Sequence, residues 1–488
     1  MTETIDTARI LLAETQLTRH KNKVQRMSSA NDTDAQNVAS DFLDRHPDIT
    51  TIDLLISDLN GVIRGKRIPC DNLAKVFEKG IYLPASVFAL DINGNTVEET
   101  GLGLSSGDGD RVCRAIPGTL NPVTWMDNNQ YGQLLMTMEE MDGSPFFADP
   151  RQILRRILEQ FSDRGLTPVV ALELEFYLVD RLRDEGNLIQ PPQSPSSGER
   201  ATQSQLYSML ELDEYAEFIN DLQCAAQAQG LPLDTVLKEC APGQFEANLI
   251  HTDDALSACD HSVLLKRLIK GVALKHGFEA TFMAKPYGLE AGSGTHVHVS
   301  LVDSNGHNIF AENGDDPLES TALQHAVGGL LELMPDSMAL LAPNLNSFRR
   351  FQEGLYVPMA PTWGYDNRSV AIRVPAGPKE ARRIEHRVAG ADVNPYLLLA
   401  TVLASIHHGL NQQIAPTEPI IGNAYEQIAP QLTNSWAHAL HLLGNSRVLA
   451  EQLGEDFINV FIANRQAERA DTMREVSAME YDWYLRHV

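Results

Sequence analysis

Four short stretches place carboxylates, histidines or arginines where they could act together: Glu173-Leu-Glu175, His296-Val-His298, Glu385-His-Arg387 and, on a looser spacing, Glu239 with Glu246. In a strand, residues i and i+2 share a face. Glu173 and Glu175 therefore stand side by side, as do His296 and His298, with their apolar neighbours turned the other way. Like charges gathered in one space repel and raise each other's pKa, and the common remedy is a divalent cation. The inward set (Glu173, Glu175, Glu239, Glu246, Glu385 and His296) is too oxygen-rich for structural zinc and suits Mg²⁺ or Mn²⁺. It also exceeds what one Mg²⁺ takes, because that ion keeps several waters, so two or more ions are expected. Clusters of this kind clamp phosphates and offset charge in phosphoryl transfer. Arg349, Arg350, Arg368, Arg373, Arg382, Arg383 and Arg387 lie close by in sequence, and their forked guanidinium groups match phosphate or carboxylate. Taken singly, each pattern also has an ordinary reading: a solvated edge strand, a pair of core histidines, a run of surface ion pairs. Pattern alone leaves those readings open.

The elements that must carry these groups are legible in outline. A strand over 169–179 holds Glu173 and Glu175, one over 295–302 holds the histidines and turns at Asn305-Gly306, and one over 382–388 holds Glu385 and Arg387. Asp149-Pro150 opens a helix, the Asp capping free amides and the Pro suiting the first turn; Ile153, Leu154, Ile157, Leu158 and Phe161 form its buried face, and Gly165 ends it. Further helices are expected near 211–229 and 253–276, and the last hundred or so residues are mainly helical. Residues 180–204, rich in Pro, Ser and Gly, read as an exposed loop. Upstream, order begins at Thr51. Ile52, Leu54 and Ile56 alternate before an Asn60-Gly61 turn, and Asn93-Gly94 repeats the device after a run over Val87–Leu90. Residues 1–47 read as an extension, partly flexible, with one short helix around Ile10–Ala13 and a linker at Ser28–Asp34. This gives a small, mostly antiparallel sheet domain over 48–142 and a larger domain over 143–488.

Composition narrows the class. The chain has 488 residues, 43% of them hydrophobic, and a net charge of −26. That charge argues against nucleic acid or anionic membrane as a partner and favours a cationic one. Five cysteines, none in a C-x-x-C pair, fit free thiols in a reducing cytoplasm. No secretory leader and no membrane span are read from the sequence. Gly101, Gly103 and Gly107 miss the dinucleotide spacing, and neither a phosphate-binding P-loop nor a G-x-S-x-G elbow is present.

Together these residues resemble the glutamine synthetase family. The matching strings are Glu173-Leu-Glu175-Phe; Lys238-Glu239-Cys-Ala-Pro-Gly-Gln-Phe-Glu246; Lys285-Pro286 followed by Gly292-Ser-Gly-Thr-His296-Val-His298-Val-Ser300; Asn346-Ser347-Phe-Arg-Arg350; Asn367-Arg368-Ser with Arg373; Arg382-Arg383-Ile-Glu385-His-Arg387; and Asn394-Pro395-Tyr396. Their order and spacing match over roughly residues 50–410. The resemblance implies an α+β fold, with an N-terminal β-grasp domain and a catalytic domain built on a curved antiparallel sheet with flanking helices. It implies a homo-oligomer, commonly a dodecamer of two hexameric rings, with ATP and two or three Mg²⁺ or Mn²⁺. Glu175, Glu239 and Glu246 would hold one ion, and Glu173, His296 and Glu385 another. Arg350, Arg387 and Gly292 would bind glutamate, Arg368 and Arg373 would face the transferring phosphoryl group, and His298, Ser300 and Arg383 would seat the nucleotide. Glutamate's γ-carboxylate would take the γ-phosphoryl of ATP, and an amine would then displace phosphate.

The family pattern breaks at the amine. Glutamine synthetases hold ammonium with an Asp of the N-terminal domain and a Glu six residues after the glutamate-binding Arg. Here those positions carry Pro84 and Tyr356, neither of which offers a carboxylate. The loss is confined to the amine site, as a changed amine would require. The chain thus looks like the γ-glutamylputrescine and γ-glutamylpolyamine synthetases of bacterial polyamine catabolism. An apolar, aromatic wall with a distant anion would suit a diamine; Tyr356 and Trp363 are candidates for the wall, Asp91 and Glu98 for the anion. The competing expectations are glutamine synthetase acting on ammonium and a non-catalytic sensor of nitrogen metabolites.

Overall fold

The computed structural model describes residues 37–126, 129–311 and 320–488. The expected helix at Ile10–Ala13 and the linker at Ser28–Asp34 lie outside them. Fourteen strands form two sheets among the described residues.

The first sheet contains β1 (Thr51–Ser57), β2 (Ile63–Pro69), β3 (Ile81–Pro84), β4 (Asp110–Ala115), β5 (Asn121–Pro122) and β6 (Tyr131–Glu139), in the order β2-β1-β6-β4-β3 with β5 also on β6. Only β1 and β6 run parallel. The β1–β2 connection is longer than a two-residue turn. Asp58, whose side chain is fully buried, accepts from the amides of Asn60 and Val62 at 2.8 and 2.9 Å and pairs with Arg64 at 2.9 Å. Two sequence expectations need correction here. Val87 and Phe88 lie not in a strand but in a 3₁₀ turn, Ala85–Ala89, whose residues are all buried; a run of apolar residues reads the same in either state. Nor does order wait for Thr51: residues 37–45 form a helix whose Ala39 and Phe42 are buried, Phe42 lying under Ile52 and Gly132.

The second sheet positions the charged groups. Its strands are β7 (Leu166–Asp180), β8 (Leu233–Lys238), β9 (Gln244–Leu249), β10 (Phe278–Thr281), β11 (Thr295–Asp303), β12 (Trp363–Tyr365), β13 (Ile372–Val374) and β14 (Ile384–His386), ordered β12-β13-β14-β11-β7-β9-β8, with β10 also on β7. All pairs are antiparallel except β12–β13. On β7 the apolar residues Val170, Leu172, Leu174 and Phe176 are buried against the helical layer, while Ala171, Glu173 and Glu175 alternate with them on the other face. The helix expected near 211–229 divides at Tyr215 into Met209–Glu214 and Ala216–Ala228.

The helical layer is close-packed. Helices Thr321–Leu341 and Pro395–Gln412 cross on glycine: a Cβ on Gly329 would stand 2.2 Å from the Ser405 carbonyl oxygen, and one on Gly409 2.1 Å from that of His325. A buried polar network ties three further contacts. Asp260, on helix Ala255–Lys275, accepts from Arg151 at 2.8 and 2.9 Å and from the Tyr396 hydroxyl at 2.6 Å. These partners sit on helices Pro150–Ser162 and Pro395–Gln412. Asn394 caps the latter helix and donates to the Asp58 carbonyl at 2.8 Å, joining it to the first sheet.

Removing one member of such a buried charged network strands the other. Asp260→Ala is expected to cost about 3–5 kcal/mol by leaving Arg151 uncompensated, seen as a lowered midpoint of thermal unfolding; a midpoint equal to the parent's would contradict this role for the network.

Candidate active site

Register explains how residues far apart in sequence meet. Glu385 of β14 faces Arg373 of β13 on one side and His298 of β11 on the other. His296 faces Glu173, and Glu175 faces Glu246 of β9. Glu239 arrives on the turn after β8, where its own amide donates to the Gln244 carbonyl at 3.0 Å and the Cys240 amide donates to its carboxylate at 3.0 Å. Lys238, fully buried, fixes that turn from behind by donating to the carbonyls of Glu239 and Ala241 at 2.6 and 2.7 Å.

All six expected ligands come together. Glu175, Glu239 and Glu246 offer oxygens within 4.8 Å of one another, the triad expected for one ion. The other expected set, Glu173, His296 and Glu385, is joined pairwise: His296 Nδ1 lies 3.1 Å from Glu173 and 3.8 Å from Glu385. His298 also enters this group, since Glu173, His298 and Glu385 form a second close triad. Its tautomer follows from its partners. Arg383 Nε donates to His298 Nδ1 at 3.1 Å, so Nε2 carries the hydrogen that it shares with Glu173 at 2.7 Å. His298 therefore orients Glu173 while accepting from Arg383, one of the residues expected at the nucleotide.

The charges are unevenly balanced. Burial raises the Glu173 carboxyl, but the hydrogen bonds from His296 and His298 outweigh it and hold the group far below its ordinary value. Burial likewise raises Glu385, and Arg387, His296 and His298 pull it down to about 2. Arg373 donates to Glu385 at 2.6 Å, and Arg387 pairs with its other oxygen. At the opposite corner Arg350, Arg387 and the Gly294 amide only partly offset the repulsion on Glu175. Burial and Glu239 push Glu175 up to about 8, and burial with Glu173, Glu175 and Glu239 pushes Glu246 up to about 9. Among the described residues neither Glu239 nor Glu246 forms an ion pair with lysine or arginine. Three carboxylates converging without a cation are the donor set that divalent metal neutralises, and the residues fit it.

The remaining expected residues divide between those the geometry gathers and those it does not. Arg350 is buried, donates to the Val388 carbonyl at 2.7 Å and lies against Gly292, where a Cβ would stand 2.7 Å from its Cγ. The Nε atoms of Arg350 and Arg387 are buried donors without a protein acceptor, as are those of Arg111, Arg156, Arg373 and Arg465. Arg368 is exposed on a cavity of about 780 Å³ that also touches Tyr356. His298, Ser300 and Arg383 line, with Glu173, another cavity of about 940 Å³, large enough for a nucleotide. The amine candidates are scattered. Trp363 is withdrawn from the wall: it is 1% exposed, and its indole donates inward to the Thr417 carbonyl at 2.6 Å. Asp91 is buried and accepts from the amide and side chain of Asn95, so it organises its own turn rather than facing a ligand. Glu98 accepts from the amides of Leu104 and Ser105 and is likewise committed to a loop. Pro84 ends β3 beside Asp110, whereas Tyr356 is exposed with a positive φ of 55°. Sequence reasoning gave no role to Gln244, whose Nε2 donates to the Gly292 carbonyl at 3.1 Å beside Glu175; its i, i+2 spacing from Glu246 was the available signal.

Residues 147–484 match the family described as glutamine synthetase, catalytic domain. The chain belongs to the glutamine synthetase family. Over 97% of its length it is 45% identical to the full length of the γ-glutamylputrescine synthetase PuuA of Escherichia coli K12. It is 34% identical to the γ-glutamylethanolamide synthetase GlnA4 of Streptomyces coelicolor, covering 90% of this chain and 92% of that one. With a glutamate–isopropylamine ligase of a Pseudomonas species it shares 31% identity over 91% of this chain and 96% of that one. The solved structure of ligand-free GmaS superposes with a TM-score of 0.78 at 26% identity, covering 91% of this chain and 98% of that one. The fold is accordingly the α+β fold of this family, with an N-terminal grasp domain and a curled catalytic sheet under helices.

Because the Glu175 and Glu246 carboxyls keep their protons up to about pH 8 and 9, a cation must displace them on binding. Affinity for Mg²⁺ or Mn²⁺ is expected to rise as pH increases from about 7 to about 9, with proton release that calorimetry detects as a heat dependent on the buffer. Glu246→Gln should weaken binding and reduce the released protons, whereas pH-independent binding by the parent would contradict the assignment.

Proposed function

We propose that the protein ligates the γ-carboxylate of glutamate to a diamine or polyamine such as putrescine, using ATP and passing through γ-glutamyl phosphate. One observation carries the reading: the residues suited to metal, glutamate and nucleotide meet in space, while the two positions that hold ammonium in glutamine synthetases carry Pro84 and Tyr356. The names of the three relatives given above support it, since those three are γ-glutamyl amide synthetases or a glutamate–amine ligase, and the 45% identity to the γ-glutamylputrescine synthetase exceeds the 28–32% shared with relatives named glutamine synthetase.

In this reading Glu175, Glu239 and Glu246 would hold one Mg²⁺ or Mn²⁺, and Glu173, His296 and Glu385 a second; the family resemblance allows a third. Bound there, such ions supply positive charge beside the phosphates. The chain's own groups do the rest. Arg350 and Arg387 receive the glutamate carboxylate through donors that protein atoms leave unused, and the Gly292 backbone admits the substrate beside them. His298, Ser300 and Arg383 seat the nucleotide. Arg368 and Arg373 offset charge on the oxygens of the transferring phosphoryl group. A γ-carboxylate oxygen bonds to the γ-phosphorus as the bond to ADP breaks. The amine nitrogen then bonds to the acyl carbon, inorganic phosphate leaves, and the amine loses one proton.

We further infer a homo-oligomer, a dodecamer of two hexameric rings, working in the cytoplasm, with a β-grasp domain over 48–142 and a catalytic domain over 143–488. Family membership and the two successive sheets support this, and no described helix is long and apolar enough to cross a membrane.

The decisive assay is ADP production with glutamate, Mg²⁺ and either ammonium or a panel of mono-, di- and polyamines. A di- or polyamine is expected to give the highest kcat/KM. Ammonium as the best acceptor would return the protein to glutamine synthetase activity, and no turnover with any acceptor would favour the sensor. Arg387→Lys is expected to raise the KM for glutamate by roughly 10- to 100-fold, the effect of losing charge-assisted hydrogen bonds of about 1.5–3 kcal/mol.

A further inference from the structure

The cavity of about 780 Å³ beside Arg368 carries three tyrosines, Tyr356, Tyr365 and Tyr425, together with Asp366. It adjoins the charged cluster through a single side chain. Arg373 donates through Nη1 to Glu385 at 2.6 Å and through Nη2 to Asp366 at 2.5 Å. One guanidinium thus separates a carboxylate of the expected metal site from a carboxylate on the cavity wall. Tyr425 borders the cavity from another direction: its hydroxyl donates to the Val357 carbonyl at 3.0 Å and lies in the field of Arg387 and Arg350, the expected glutamate-binding pair. The cavity therefore opens next to the place where the acyl group would form.

Two residues of its lining have left-handed backbone. Tyr356 and Asp366 both adopt left-handed conformations, with φ of 55° and 43°, in which non-glycine residues are strained. Such strain concentrates at ligand clamps. The Asp366 amide is held there by the Val374 carbonyl at 2.9 Å. The Asp366 side chain pairs with Arg373, feels the charge of Arg368 on the same cavity, and at 56% exposure keeps surface for a further cation. Aromatic faces beside a carboxylate recognise an alkyl chain with a positive far end: rings cover methylenes and attract the ammonium, and the carboxylate binds it by charge-assisted hydrogen bonds.

We propose that this cavity receives the carbon chain of the amine substrate and that Asp366 holds the far ammonium of an α,ω-diamine, with Tyr356, Tyr365 and Tyr425 as the wall. The proposal rests on the ligase reading above and assigns the distant anion that Asp91 and Glu98 do not provide. The near nitrogen points back toward Arg350 and Arg387. A monoamine of the same length uses the wall but leaves Asp366 without its cation, and ammonium uses neither.

The test compares putrescine with butylamine on the full-length protein at saturating glutamate, ATP and Mg²⁺. The ratio of kcat/KM for putrescine to that for butylamine is expected to fall about tenfold or more in Asp366→Asn, and Asp366→Glu, which keeps the charge, should recover most of it. Where butylamine binds without turnover, its inhibition constant serves in place of its KM. A ratio unchanged in Asp366→Asn, with both amines losing equally, would mean that Asp366 acts only by holding Arg373 and would overturn the proposal. The parent protein decides the underlying reading separately: no γ-glutamyl product from any amine would defeat the ligase assignment itself, and this proposal with it.

Discussion

Close-range repulsion among buried carboxylates is the constraint that shapes this molecule. Glu173, Glu175, Glu239, Glu246 and Glu385 occupy one face of one sheet, and four of them are held there by strand register rather than by mutual attraction. Such an arrangement stands only if something else fixes the strands. That role falls to the other face, where Val170, Leu172, Leu174, Val297, Val299 and Ile384 are buried against helices. Hydrophobic burial on one side thus offsets electrostatic cost on the other, and the alternation of side chains along β7 lets one strand serve both ends.

The arginines divide the cluster into two halves of opposite temper. Around Glu385, Arg373 and Arg387 satisfy the carboxylate within the protein. Around Glu175, Glu239 and Glu246 no arginine or lysine forms an ion pair among the described residues, and burial with mutual repulsion pushes the three carboxyls up. One half is already balanced, and the other is built to be completed from outside. Gln244 sits close to the boundary, donating to the Gly292 carbonyl, and the Gly294 amide donates to Glu175 at 2.7 Å.

Much of this was legible because period-two spacing has a direct geometric meaning. The pairs at 173/175 and 296/298 had to share a face, and they do. What stayed hidden was cross-strand register, which no local pattern specifies: nothing in the string around His298 announces that it meets both Glu173 and Arg383. Other misses have equally plain causes. Trp363 looks like a ligand wall by composition, yet its ring is buried and its indole N–H donates to the Thr417 carbonyl of a neighbouring loop. Asp91 and Glu98 are carboxylates close to turns, and short acidic side chains commonly close such loops on their own amides. Asp366 drew no notice because its importance lies in a bond to Arg373 and in a left-handed backbone, neither visible as a motif.

The distribution of parts between strand and loop has an evolutionary meaning. Four of the five acids lie on paired strands of the sheet, where a one-residue slip would turn their side chains to the wrong face. Tyr365 instead ends the short edge strand β12, Tyr356 and Asp366 lie in loops, and Tyr425 sits on the short helix Ala424–Gln427. Acceptor preference can therefore drift by exchange of a few peripheral side chains while the phosphoryl-transfer machinery stays untouched, so one scaffold can be retuned for new nitrogen compounds without being refolded.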